Sequence, residues 1–124
     1  MNYPVGDFLT QVKNTALARK HEAKVKKTKL IKTVALVLKN EGFLDEVKEE
    51  EGFLDLRLAY RKKEPVIVDL KLISKPSLRV YAGVDDLEKK RGPSVYILST
   101  SQGIMSSEQA KKKRLGGEVI VEIW

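Results

Sequence analysis

The sequence predicts an α/β protein of the α+β type in two small subdomains. The first is an N-terminal α-β-α-β-β unit over residues 1–63, and the second is a C-terminal unit over residues 64–124, mostly β with short helices. Three observations carry this. Apolar residues recur at helical spacing in two segments of the first half. Apolar runs rich in β-branched and aromatic residues, bounded by Gly, Pro and Ser turns, fill most of the remainder. Between the halves, Arg61, Lys62, Lys63, Glu64 and Pro65 break the pattern with charge and a proline.

The 124 residues, 42% of them hydrophobic, suffice for one compact unit or two small subdomains sharing a core. Lys plus Arg number 24 against 17 Asp plus Glu, a net charge of +7 and a pI near 9.6, which favours a polyanionic partner. With no cysteine, disulfides, thiolate metal sites and cysteine nucleophiles are excluded, and the chemistry is cytosolic in style. Every apolar run falls short of the ~20 residues that span a bilayer, and the N-terminus lacks the basic-then-apolar layout of a signal peptide. Membrane and secretory roles are therefore not expected.

Val5, Phe8, Leu9, Val12 and Ala16 predict an amphipathic helix from Val5 to about Lys20, with Pro4 in its first turn and Asn2 as a nearby cap. Thr10, Lys13, Asn14 and Leu17 form a neighbouring stripe that helix statistics alone read as a solvated polar face. From Arg19 to Lys32, seven basic residues stand against the single acid Glu22. Such density suits either a nucleic-acid patch or an edge strand guarded by lysines. His21 lies inside the strip, without the second histidine or cysteine that a metal site needs.

Thr28 is placed to cap a second helix, whose Leu30, Ile31, Val34, Ala35, Val37 and Leu38 form a wide apolar face before Gly42. Phe43 to about Glu49 and Phe53 to Tyr60 predict a hairpin turning at Glu51 and Gly52, with Leu54, Leu56, Leu58 and Tyr60 inward. Six acids between Glu41 and Glu51 make this hairpin the side that faces away from a polyanion.

In the second half, Val66 to Ile73 and Leu78 to Tyr81 predict strands around a Ser74-Lys75-Pro76-Ser77 turn. Asp85 and Glu88 have capping-box spacing for a short helix. Ser94 to Leu98 predicts the strand that delivers Ser99, Thr100, Ser101, Gln102, Gly103, Ile104 and Met105 to one loop. Ser106 and Gln109 have capping-box spacing for a helix running through Arg114 until Gly116 and Gly117 stop it, and Glu118 to Trp124 predicts a final strand inserted in the sheet.

The hydroxyls of Ser99, Thr100 and Ser101 donate and accept, as the mixed edges of sugars and unpaired bases require, and Gly103 permits close backbone approach. The other reading of this stretch is a turn whose serines cap the next helix. A serine hydrolase is disfavoured, because His21 is distant in sequence and G-x-S-x-G, a phosphate-cradling glycine loop and a metal-ligand cluster are all missing.

Several words occur in order along nearly the whole chain: Asp7-x-Leu9-Thr10 with Lys13-Asn14, Lys29-Leu30, Glu41-Gly42-Phe43, Ser74-Lys75-Pro76 and Leu78-Arg79-Val80-Tyr81. The most specific are Ser99-Thr100-Ser101-x-Gly103-Ile104-Met105 and Leu115-Gly116-Gly117-Glu118. By this ordered set the chain resembles the bacterial type of the universal small-subunit ribosomal protein eight family. The resemblance implies a non-enzymatic structural constituent of the small ribosomal subunit, located in the cytoplasm and needing no cofactor. It implies binding to a helical region in the central domain of small-subunit rRNA early in assembly, beside neighbouring small-subunit proteins. In some bacteria the family also represses translation of ribosomal-protein mRNA, which adds a second RNA partner.

Carried over residue by residue, the principal RNA surface is Ser99, Thr100, Ser101, Gly103, Tyr81 and Glu118, with Ser74 and Lys75 at the nearby turn. Thr10, Lys13, Asn14 and Lys29 come from the first half. Lys111 and Lys112, with Lys113 and Arg114, supply general attraction to phosphates. Four residues depart from the family pattern: Ser77 replaces a glycine, Lys26 and Lys27 replace a proline-serine pair, and Tyr3 replaces an acidic helix cap before Pro4. The competing function is a general basic nucleic-acid-binding or protein-interaction module.

Overall fold

In the computed structural model, which describes residues 3–124, the chain forms two compact units, one ending at Asp69 and the other spanning Leu70–Trp124. Each mixes helix and sheet, as the α+β class requires. The expected cap at Asn2 lies outside the described residues.

In the first unit, helix α1 (Pro4–Leu17) buries Val5, Phe8, Leu9, Val12 and Ala16, the stripe set by their spacing. Strand β1 (Glu22–Lys26) leads to helix α2 (Lys29–Asn40), where the Thr28 hydroxyl accepts from the Ile31 N–H at 3.1 Å. Strands β2 (Leu44–Glu50) and β3 (Phe53–Leu58) form the expected hairpin, and β3 pairs antiparallel with β1 on its other side. Leu54, Leu56 and Leu58 alternate into the core. The lysine-rich strip therefore has an edge strand at its centre, with Val25 buried and Lys24 and Lys26 exposed. Gln11 covers part of that edge by donating from Nε2 to the Lys24 carbonyl at 2.9 Å.

The charged break is a miniature hairpin. Strands β4 (Tyr60–Arg61) and β5 (Glu64–Pro65) pair across Lys62 and Lys63, whose φ angles are 53° and 67°. Two consecutive left-handed residues are the mark of a type I′ turn. The Val66 N–H then donates to the Ala59 carbonyl at 2.9 Å, so the chain stays with the first unit beyond the 63/64 boundary expected from the proline, and the units divide after Asp69.

The second unit contains β6 (Leu70–Leu72), β7 (Tyr81–Ala82), helix α3 (Val84–Lys89), β8 (Val95–Thr100), β9 (Gly103–Ser106), helix α4 (Ser107–Lys112) and β10 (Gly117–Ile123). The final strand is inserted as expected. β10 pairs with β8 on one side and with both β7 and β6 on the other, in the order β6-β10-β8-β9. A bulge between Val119 and Val121 shifts the pairing with β8, so Val119, Ile120 and Val121 are buried in succession. Leu87, Leu98, Met105, Ala110 and Val119 form a core that joins α3 and α4 to the sheet.

Four local expectations change. The strand expected over Val66 to Ile73 contracts to β6. Lys75 and Leu78 exchange backbone bonds of 2.8 and 2.9 Å around Pro76 and Ser77, so strand pairing with β10 starts only at Tyr81. Helix α3 begins earlier than the Asp85–Glu88 spacing suggests, with the Gly83 N–H donating to the Asp86 carboxylate at 2.8 Å. Helix α4 keeps its expected cap, the Ser106 hydroxyl accepting from the Gln109 N–H at 3.3 Å, but ends before the glycines.

The α4 stop is a Schellman closure at Arg114, φ 56°, with Leu115 N–H to Ala110 carbonyl at 2.9 Å and Arg114 N–H to Lys111 carbonyl at 3.1 Å. The same closure ends α1 at Arg19, φ 56°, and α2 at Gly42, φ 87°. A side chain in this region costs about 1 kcal/mol relative to glycine. Two of the three helix stops carry that cost.

Candidate nucleic-acid interface

The Ser99–Met105 stretch is not a free loop but the tip of the β8–β9 hairpin, because its backbone pairs Ser99 with Ile104 and Thr100 with Gly103. The Thr100 hydroxyl closes the tip. It donates to the Gly103 carbonyl at 2.8 Å and accepts from the Gln102 N–H at 3.1 Å, while Gly103 takes φ +111°, a conformation suited to glycine. Ser101 is exposed at the turn and Ser99 is half-buried one residue before Thr100.

Register brings the remaining residues alongside. Glu118 of β10 lies opposite Tyr81 of β7 and opposite Ser99 of β8, and Ser99 lies opposite Ile104 of β9. Directly paired residues of antiparallel strands share a face, so Tyr81, Glu118, Ser99 and Ile104 form one row across four strands, about 14 Å at the usual strand spacing. Ala82, Gly117, Thr100 and Gly103 form the next row.

The two glycines before Glu118 allow the strands to close. A Cβ on Gly117 would stand 2.9 Å from the Ser99 carbonyl carbon and 3.1 Å from the Thr100 Cα, and one on Gly116 would stand 2.6 Å from the Ala82 carbonyl oxygen. These approaches, rather than helix termination, are what the pair provides.

Charge within the row is compensated. Arg79 Nη1 lies 3.0 Å from Glu118 Oε2, in an ion pair whose glutamate side chain is 21% exposed. Tyr81 is 70% exposed. Its position is held from beneath by Ser74, which is fully buried; the Ser74 hydroxyl accepts from the Val80 N–H at 2.8 Å and donates to the Val80 carbonyl at 3.1 Å. Ser74, expected as a contact, thus has an internal role, while Lys75 is exposed on the adjoining turn.

Lys111 and Lys112 lie on α4, which packs on β8 and β9, with Lys112 exposed and Lys111 half-buried. In the first unit, Thr10 and Asn14 are exposed on α1 and line a shallow groove with Asp7, Gln11 and Lys20. Lys13 Nζ lies 3.2 Å from Asp69 Oδ1, so its charge is partly neutralised. Lys29 opens α2 and is exposed. Lys27, one of the departures, pairs with Glu49, which Lys32 also contacts at 3.3 Å; these two ammonium groups hold the Glu49 carboxyl below its ordinary value of 4.5.

A family model described as ribosomal protein S8 matches residues 3–124. The chain belongs to the ribosomal protein S8 family. Proteins named small ribosomal subunit protein uS8 resemble it closely. That of Caldanaerobacter subterraneus subsp. tengcongensis is 43% identical over 130 residues, covering 100% of this chain and 98% of the relative. That of Nitratidesulfovibrio vulgaris strain DP4 is 42% identical over 122 residues, covering 98% and 97%. That of Nostoc punctiforme is 38% identical over 130 residues, covering 99% and 98%.

In this S8-family chain the two most specific words meet in space, since Gly117 and Glu118 on β10 pair with Thr100 and Ser99 on β8. Arg79 joins this candidate interface through Glu118 and was missed by sequence reasoning. Its signal was present, two positions before Tyr81 in a shared word, but its role depends on a partner 39 residues away in the chain.

Proposed function

We propose that this chain is a structural protein of the small ribosomal subunit. It binds a helical region in the central domain of small-subunit rRNA through the Tyr81–Glu118–Ser99 row and the adjoining hairpin tip, and so supports assembly beside neighbouring small-subunit proteins. The name the relatives share, small ribosomal subunit protein uS8, supports the ribosomal location. Double-helical RNA offers a wide, shallow minor groove lined with 2′-hydroxyls, and its irregular loops expose base edges. A short-hydroxyl surface enters such places. Ser99 and Ser101 donate and accept, Tyr81 stacks, and Thr100 with Gly103 shapes the tip.

The observation that carries this reading is the Arg79–Glu118 pair inside the row. An acid on an RNA surface is repelled unless a cation offsets it. Here the cation occupies Oε2, leaving Oε1 to accept from a 2′-hydroxyl or a base amino group, a discriminating contact rather than a phosphate contact. Lys75, Lys111, Lys112 and Lys29 add phosphate attraction, with Lys13 weakened by Asp69.

Competition tests it. At moderate salt the protein should prefer a central-domain fragment of small-subunit rRNA over a plain RNA duplex and over duplex DNA. Equal binding to all three overturns the proposal in favour of a general basic module.

A further inference from the structure

We infer that the Arg19–His21 corner and the Lys62–Lys63 hairpin form a second, sequence-independent contact for the phosphate backbone of double-stranded RNA. Three interactions join the two segments. Arg19 Nη2 lies 2.8 Å from Glu64 Oε2, the Tyr60 hydroxyl donates to the Lys20 carbonyl at 2.9 Å, and the His21 and Tyr60 rings lie 4.1 Å apart at 31°. The result is a built knuckle that holds Arg19, Lys20, Arg61, Lys62 and Lys63 together against one acid, Glu64.

All five cations are exposed. Glu64 is engaged by Arg19, and among the described residues Lys20, Arg61, Lys62 and Lys63 form no ion pair. Like charges at this density repel one another, and a polyanion relieves that repulsion.

Backbone conformation makes the choice of residues more telling. The non-glycine residues with left-handed φ, among those described, are Arg19, Lys62, Lys63 and Arg114, and three of these four are in the knuckle. A type I′ turn prefers Asn-Gly, and a Schellman stop prefers Gly. Long cations instead occupy strained positions where uncharged residues fit better, and such strain collects at functional positions. No residue of 19–21 or 60–64 is an exposed large hydrophobic, so the knuckle itself lacks the apolar anchor that a protein interface builds around. A phosphodiester backbone needs no such anchor.

The choice of RNA as polyanion rests on the proposed function; the knuckle itself is separate from the row around Glu118. The test is the double variant Lys62→Asn/Lys63→Gly, which removes two charges while supplying the residues the turn prefers. Binding to a plain RNA duplex is measured from 50 to 200 mM salt. The log-log slope should fall by about 1.4 to 1.8, and the ratio of wild-type to variant affinity should shrink by roughly 7- to 12-fold over that range. The melting temperature should stay level or rise. The variant Lys62→Gln/Lys63→Gln should give the same slope and guards against an unforeseen folding defect.

An unchanged slope in a folded variant overturns the inference. A variant that loses binding to polyglutamate while keeping its RNA slope assigns the knuckle to an acidic protein, and also overturns it. The two readings fail separately: loss of preference for the rRNA fragment in the wild type counts against the proposed function, whereas an unchanged slope on the plain duplex counts against the knuckle alone.

Discussion

Arg79 and Glu118, 39 residues apart in sequence, meet at 3.0 Å at the centre of the row that also holds Tyr81 and Ser99. In the proposed function, this pair is what lets a carboxylate sit on a surface that meets RNA. Arg79→Ala should weaken binding to the central-domain fragment about tenfold, and Glu118→Gln in the same chain should recover part of the loss. Because the pair is partly exposed, unfolding stability should change by less than about 1 kcal/mol. Fluorescence anisotropy and urea melts on the two variants check both outcomes.

Gly117 is limited by space and Gly103 by backbone angle. An alanine at Gly117 would press on the Ser99 carbonyl and Thr100 Cα, forcing β10 from β8, with a loss of about 1 to 3 kcal/mol. At Gly103 no heavy atom lies within 4 Å of an added Cβ, so the cost is the +111° φ, about 1 kcal/mol. Urea melts should rank Gly117→Ala as the more damaging.

Ser74→Ala removes the acceptor of the partly buried Val80 N–H and should cost about 1 to 3 kcal/mol. It should also lower preference for the rRNA fragment, since Val80 sets the position of Tyr81. A destabilised variant with undiminished preference would show that Tyr81 is positioned independently.

Arg114→Gly relaxes the left-handed stop of α4 and should stabilise the protein by about 0.5 to 1 kcal/mol, offset in part by loss of the exposed contact with Glu88 at 3.5 Å. Thermal melts in high salt, where that contact is screened, should show the larger gain.

The Glu49 carboxyl is held below its ordinary 4.5 by Lys27 and Lys32, so it favours the folded state above that value and loses this contribution as pH falls through its lowered folded value. Glu49→Gln should therefore be less stable than wild type at neutral pH, and the two should converge in acid. Chemical denaturation at pH 7 and pH 3 checks the sign.

The local elements of this protein were legible in its sequence because their causes are local. Apolar spacing in Val5–Ala16 and Ile31–Leu38, the Thr28 and Ser106 caps, and the Glu51–Gly52 turn each act within a few residues. The words containing Tyr81, Ser99 and Glu118 also singled out those residues, in sequence order without a spatial arrangement. Tertiary structure alone decided that Gly116 and Gly117 are there for close approach. It alone turned Ser74 inward and gave Glu118 the partner Arg79. Those three outcomes depend on which strands lie beside β10, and that pairing is chosen by contacts between segments tens of residues apart, which no window along the chain contains.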